Sequence, residues 1–297
     1  MTINRLPTLV STTWLKQQMC RHSNPSIAGK ITLRRSLRIL DTSWTPEPEV
    51  DGYKTFFKEA HIPSSLYFDL KQVQTSGQKG PGAKFPIPDS NRFQDYVEDL
   101  GISNDTHVIA YDRFNSRPSF RTWFLFRLFG HDKVSVLNGG LRQWVTDGYH
   151  VTVDEPDVEE GEFEVNFRPH LLRSYDEMLK NVNSQAEQVV DARGRGNFVG
   201  ENENDGHIPG SKNIPFGSVF NDDGTVKSSS ELQKLFDNVG IDLSKPLVST
   251  CQTGMTACAV AAAAHILGKE DVPVYNGSFT EWFQRADSSM IARQGKD

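Results

Sequence analysis

Residues 246–275 read PLVSTCQTGMTACAVAAAAHILGKEDVPVY, and their order of elements decides the fold. Pro246 to Thr250 is a short apolar and β-branched run, a buried strand by its length and flanks. A loop holding Gly254 follows, and Thr256 to Leu267 is an alanine-rich helix stopped by Gly268. Val272 to Tyr275 is then a second strand. Upstream, Gln188 to Asp191 reads as a strand and Ser229 to Val239 as a helix. Strands and helices alternating at this spacing build α/β units around a mostly parallel sheet.

The first half repeats this plan. Leu137-Asn138-Gly139-Gly140-Leu141-Arg142-Gln143-Trp144 matches Tyr275-Asn276-Gly277-Ser278-Phe279-Thr280-Glu281-Trp282 without a gap. Three further pairs keep the same order: Arg38-Ile39-Leu40-Asp41 with Val189-Val190-Asp191-Ala192, His61-Ile62-Pro63 with His207-Ile208-Pro209, and Val108 to Asp112 with Leu247 to Cys251. Their separations differ, as loop insertions require. Duplication explains all four together. The chain therefore divides into a domain over 1–150, an acidic linker without helical periodicity over 151–169, and a second domain over 170–297. Thr8 to Met19 (TLVSTTWLKQQM) reads as the first helix. The repeated Trp144 and Trp282 read as core residues, and His61 and His207 as turn residues.

Bulk properties fit two soluble domains. The chain has 297 residues, 37% apolar and 24% charged, more than one hydrophobic core serves. A net charge of -6 argues against broad binding to nucleic acid or anionic membranes. The first 40 residues are locally basic (Arg5, Lys16, Arg21, Lys30, Arg34, Arg35, Arg38) and read as a solvated face. No run approaches the roughly 18 apolar residues of a membrane span. The N-terminus lacks a signal-peptide pattern, and we assign the chain to the cytoplasm. The alternative is a mitochondrial presequence, because Arg5 is followed by Ser and Thr with no acid before Asp41.

Cys20, Cys251 and Cys258 are too few for a disulfide framework and too poorly spaced for a zinc site. The chemistry to expect is that of one thiol. Cys251 ends a strand, where open α/β sheets place functional groups, and its loop turns toward a helix N-terminus. Unpaired N–H groups and the helix dipole there stabilise negative sulfur. Gly254 permits a backbone conformation closed to other residues. Cys258, inside the helix, reads as packing.

The loop C-Q-T-G-M-T-A resembles the active-site loop of rhodanese-family sulfurtransferases, whose pattern is Cys, two variable residues, Gly, an apolar residue and Thr. Asp191-Ala192-Arg193, Gly206 to Gly210 with Asn213-Ile214-Pro215, and Tyr275 to Ser278 sit where that family has its other signatures. The first half resembles the family's inactive copy, with Asp112 in place of Cys251 and the helical run Ser119 to Trp123 after it. Arg113 and Arg117 of that copy read as surface charges. The resemblance implies two tandem rhodanese-like α/β domains, each a mostly parallel sheet flanked by helices. It also implies a persulfide on Cys251, cradled by backbone N–H groups from Gln252 through Gly254, Met255 and Thr256 to Ala257. The implied partners are a small sulfur donor and a thiol acceptor such as thioredoxin, or cyanide. The resemblance implies no metal and no organic cofactor. Phosphatases related to this fold need an arginine six positions after the cysteine, where Ala257 stands.

The same resemblance bears on the donor. Thiosulfate enzymes of the family place basic residues after the cysteine, whereas Gln252 and Thr253 are neutral. Thr253 offers a hydroxyl where the mercaptopyruvate type has a serine, suited to a hydrogen bond with Cys251 and to proton transfer. The expected donor is 3-mercaptopyruvate, with thiosulfate the alternative. Two substrate-binding arginines of the mercaptopyruvate type are absent: Asn197 stands at the first position, and the shortened stretch Glu201 to Asp205 lacks the second. Arg195 is the candidate substitute, and Arg193 reads as a structural ion-pair partner. Asp69 matches a family Asp of the site, and Phe85 stands at the position of a family His. A non-catalytic scaffold or a sulfur carrier loaded by another protein is the competing reading. The missing arginines and Phe85 favour it, and the intact loop opposes it.

Overall fold

The computed structural model describes residues 6–24, 32–33, 36–45, 47, 49–74, 84–113 and 117–294. Arg5, Lys30, Arg34 and Arg35 of the basic stretch, and the side chain of Arg117, lie outside what is described. The described residues form two compact units. The first takes in 6–74, 88–167 and 222–225, the second 84–87, 168–221 and 226–294.

Along the first unit run β1 (Leu9–Val10), α1 (Thr12–His22), the antiparallel pair β2 (Ser23–Asn24) and β3 (Thr32–Leu33), β4 (Leu37–Asp41), β5 (Ser65–Tyr67), α2 (Leu70–Gln74), α3 (Ser90–Asp99), β6 (His107–Tyr111), α4 (Arg117–Leu128), β7 (Val134–Leu137) and α5 (Gly140–Thr146). The second holds β8 (Leu172–Arg173), α6 (Tyr175–Ser184), β9 (Gln188–Asp191), α7 (Arg195–Val199), β10 (Lys212–Asn213), α8 (Ser229–Asn238), β11 (Leu247–Thr250), α9 (Ala257–Ile266), β12 (Val274–Tyr275) and α10 (Ser278–Arg285). Five strands pair in parallel in each unit, in the orders β1-β7-β6-β4-β5 and β8-β12-β11-β9-β10. The two orders are the same walk across equivalent strands, so the repeat seen in the sequence is a repeat of topology.

Helices cover these sheets, and the central strands are accordingly apolar. Every residue of β4, β7 and β11 is buried, as expected for a parallel sheet packed on both faces. The alanine run of α9 is buried from Ala257 to Ala264; small side chains on all sides let this helix lie inside the unit. Ser174 with Glu177 and Ser228 with Glu231 form capping boxes that start α6 and α8, each worth about 1 kcal/mol.

Duplication extends to single side chains. Trp144 and Trp282 are both buried, and their indole N–H groups donate to the carbonyls of His150 and Met290. His61 and His207 each stack on a phenylalanine, Phe57 and Phe198, and bond its carbonyl through Nδ1. The backbone of His61 exchanges hydrogen bonds with Thr152, at 2.8 and 2.9 Å, as His207 does with Ala292. Both histidines are therefore structural.

Three readings differ from what the chain does. The run from Thr8 is not one helix: Leu9 and Val10 pair with Val136 and Leu137 as the edge strand β1, and Ser11 then accepts from Trp14 N–H to start α1. Two residues are too few for a period to register, and the ladder with β7 outweighs helical propensity. The acidic segment 151–167 is packed on the first unit. Beyond Thr152, its Phe163 is buried and donates its N–H to Glu98. Arg113 is not a surface charge. Its guanidinium folds back onto the carbonyls of Phe56 and Ala60, at the end of a helical turn, and pairs with Glu59.

Candidate active site

Cys251 is the first residue beyond β11 and is 1% exposed. Sheet pairing sets its surroundings. Thr250 is in register with Asp191 of β9, and Ala192 N–H donates to Thr250 O at 2.8 Å. The chain leaving β9 therefore runs beside the cysteine. Arg193 in that segment makes a bidentate ion pair with Asp191, 2.7 Å at its shortest, with both side chains buried. Its guanidinium also lies 3.7 Å over the Phe279 ring, a desolvated cation–π contact. This is the structural role expected of Arg193.

The loop 251–256 folds around the sulfur. Gly254 N–H donates to Cys251 Sγ at 3.1 Å. Gly254 has φ +82°, and a Cβ there would lie 2.7 Å from Asn276 O, so both its conformation and its space exclude a side chain. The N–H groups of Gln252, Thr253, Met255 and Thr256 meet no acceptor among the described residues. Open donors ahead of a helix start are the geometry that receives an anion. Cys258 is fully buried and its thiol donates to Gly254 O at 3.3 Å, a packing role.

The sequence missed Ser278. Its hydroxyl lies 3.9 Å from Sγ, accepts from Cys251 N–H at 3.3 Å and donates to Tyr275 O at 2.8 Å. Ser278 holds φ +53°, while its counterpart Gly140 has φ +57°. The copy with the cysteine thus keeps a hydroxyl at a backbone position where the other copy has glycine. That exchange was visible in the aligned repeat and is the signal that finds the residue. The hydroxyl within reach of sulfur is that of Ser278; Thr253 is half-buried and makes no such bond among the described residues.

The remaining candidates fall in three places. Gln252 is exposed, and its amide donates to Thr280 Oγ1 at 3.0 Å. Arg195 is exposed at the start of α7 and donates to Gln294 Oε1 at 2.6 Å. Nearby, Asn197 and Asn202 donate to the Asp205 carboxylate, and the Asn197 bond foremost holds that carboxyl below its usual range. Asp69 belongs to the first unit, where Oδ1 accepts from Lys71 and Gln72 N–H and caps α2. The Phe85 carbonyl accepts from Asn276 Nδ2 at 3.0 Å, beside the residue that packs on Gly254. Among the described residues no group of His, Cys, Asp and Glu is arranged to hold a metal ion, and no helix is long and apolar enough to cross a membrane.

Comparison with known proteins agrees with this geometry. The family model of the rhodanese-like domain matches residues 25–147 and 174–285. The thiosulfate sulfurtransferase of Gallus gallus is 41% identical over 284 residues, spanning 94% of each chain. The 3-mercaptopyruvate sulfurtransferase of Rattus norvegicus is 39% identical over 271 residues, 88% of this chain and 89% of the relative. Among solved structures, the sulfur transferase subunit of yeast mitochondrial complex I has a TM-score of 0.81 at 30% identity, covering 96% of this chain and 99% of its own. The 3-mercaptopyruvate sulfotransferase SseA of Escherichia coli has a TM-score of 0.78 at 27% identity, covering 92% and 99%.

Proposed function

The chain belongs to the rhodanese family and is a sulfurtransferase, and from that premise we propose that Cys251 carries sulfur as a persulfide between 3-mercaptopyruvate and a thiol. One observation carries the reading: Cys251 sits buried at the mouth of β11, beside the N–H groups of Gln252, Thr253, Met255 and Thr256, which meet no acceptor among the described residues. In the first step the Cys251 thiolate attacks the sulfur of the donor. A sulfur–sulfur bond forms, the carbon–sulfur bond breaks, and the electron pair leaves on the enolate of pyruvate, which takes up a proton. An acceptor thiolate then attacks the outer sulfur, and the pair of the breaking sulfur–sulfur bond returns to Cys251. The open N–H groups of Gln252, Thr253, Met255 and Thr256, with Gly254 N–H already on Sγ, match the negative charge that the outer sulfur bears between these steps.

Supporting groups are part of the proposal. Thr253 supplies the hydroxyl that moves the donor's proton, and Asp69 contributes as its family counterpart does. Arg195 takes the donor carboxylate in place of the two absent arginines, leaving Gln294 to do so. The first copy transfers no sulfur, because Asp112 follows β6 where Cys251 follows β11. Thioredoxin is the proposed acceptor. The proposed location is the cytoplasm, with mitochondria the alternative that the yeast neighbour favours.

Neutral Gln252 and Thr253 support 3-mercaptopyruvate as donor. A second reading, thiosulfate with sulfite as the leaving group, is favoured by the 41% identity to a thiosulfate sulfurtransferase. Sulfide release from 3-mercaptopyruvate with dithiothreitol, measured beside thiosulfate with cyanide, separates the two. Turnover of 3-mercaptopyruvate is expected to exceed that of thiosulfate and to vanish in Cys251→Ser. A folded wild-type protein silent with both donors rules out the small-donor enzyme and leaves the sulfur carrier or scaffold.

A further inference from the structure

The first turn of α10 controls which way the cysteine loop faces. Phe279 N–H donates to Cys251 O at 2.9 Å, and Thr280 N–H donates to Gln252 O at 3.1 Å. In a planar trans peptide, the carbonyl and the N–H that follows it point in opposite directions. Holding the carbonyls of Cys251 and Gln252 on α10 therefore turns the N–H groups of Gln252 and Thr253 away from it. On that side they meet no acceptor among the described residues.

Any residue at positions 279 and 280 other than proline supplies those backbone bonds. Thr280 adds something that its backbone does not. Its Oγ1 donates to Gln252 O at 2.7 Å and accepts from Gln252 Nε2 at 3.0 Å. One hydroxyl thus grips both the backbone and the side chain of the residue next to the cysteine. Gln252 is exposed, and among the described residues its amide is held by this contact alone.

We propose that Thr280 is a positioning residue for sulfur transfer. Its hydroxyl locks Gln252 so that the N–H groups of Gln252 and Thr253 face the sulfur carried on Cys251. The same hydroxyl holds the Gln252 amide beside α10. The inference rests on the reading that Cys251 carries the persulfide. The step it serves is the one in which the acceptor thiolate bonds to the outer sulfur, the sulfur–sulfur bond breaks, and the electron pair returns to Cys251.

Thr280→Val keeps the volume and removes the hydroxyl, while Thr280→Ser keeps the hydroxyl. With 3-mercaptopyruvate and dithiothreitol, Thr280→Val is expected to lower kcat about three- to tenfold, the range set by one hydrogen bond. KM stays within about twofold, because donor binding is not what the lock changes. Thr280→Ser retains at least about half of the wild-type kcat. Adding Gln252→Ala to Thr280→Val costs little more, since both remove the same contact. Wild-type kcat in Thr280→Val overturns the proposal, and so does a Thr280→Ser enzyme as slow as the valine variant. A loss that merely tracks the unfolded fraction, read from melting curves, overturns it as well. Cys251→Ser distinguishes the two levels. If it retains turnover, the persulfide reading fails; if it is inactive while Thr280→Val matches wild type, only the role of Thr280 fails.

Discussion

Ser278 shows how one side chain reports function through backbone conformation. A non-glycine residue at φ +53° is strained by about 1–2 kcal/mol. At Gly140 the equivalent turn is made without that strain, and an ideal Cβ there would stand 2.2 Å from Asp112 O. What Ser278 gains in return is contact with Cys251, both at N–H and at Sγ. Two substitutions separate strain from contact. Ser278→Gly relieves the backbone and removes the hydroxyl, whereas Ser278→Ala keeps the strain and removes the hydroxyl. Ser278→Ala is expected to be the less stable of the two by about 1 kcal/mol in urea titrations. Both are expected to lower kcat about three- to tenfold. Equal stability of the two variants contradicts the strain argument, and unchanged kcat contradicts the contact.

The segment leaving β9 joins the sheet to the cysteine loop through one buried ion pair. Arg193 holds Asp191 bidentately, donates to Gly206 O and covers the ring of Phe279. Phe279 N–H in turn holds Cys251 O. Arg193→Met leaves the Asp191 carboxylate buried without its partner, at a cost of about 3–5 kcal/mol, read as a fall in the urea midpoint. A lysine at this position cannot reproduce the planar double bond or the stacking, so Arg193→Lys is expected to recover only part of the loss. Full recovery by lysine shows that charge alone matters here. Elements were legible in the sequence wherever a period had room to register. β9 has the bounds read from its residues, and α8 and α9 differ from theirs by a residue at each end at most. β1 was hidden because two residues carry no pattern. Its existence depends on β7, more than 120 residues away along the chain.

Across the molecule, the duplicated plan was readable because four short matches kept their order, and the identical strand order is its physical counterpart. The cysteine was readable because strand end, glycine and helix start are consecutive in the chain. Ser278 was marked only by its exchange for Gly140 in the aligned repeat, and Thr280 by nothing, because contact through α10 brings it to the loop and sequence spacing does not express such contacts. Acid stability is a property of the whole chain, and a buried histidine of the first unit contributes to it. His131 is buried, 2% exposed, and donates to Thr106 O; burial above all pushes its pKa down to about 4. Below pH 6.5 the unfolded chain binds a proton there that the folded chain refuses. Stability is therefore expected to fall as pH drops from 6.5 toward 4, by about 3 kcal/mol from this residue. In His131→Phe the slope of urea midpoint against pH over this interval should be shallower; an unchanged slope assigns the acid sensitivity elsewhere. Finally, Thr152 closes on His61 just as Ala292 closes on His207. All five strands of the first copy's sheet thus precede Leu172, the opening strand of the second, in the order of synthesis. Emerging from the ribosome, the chain has a finished sheet behind it when the cysteine-bearing copy begins to form, so that the two similar sets of strands are separated in time and do not compete for one another's places.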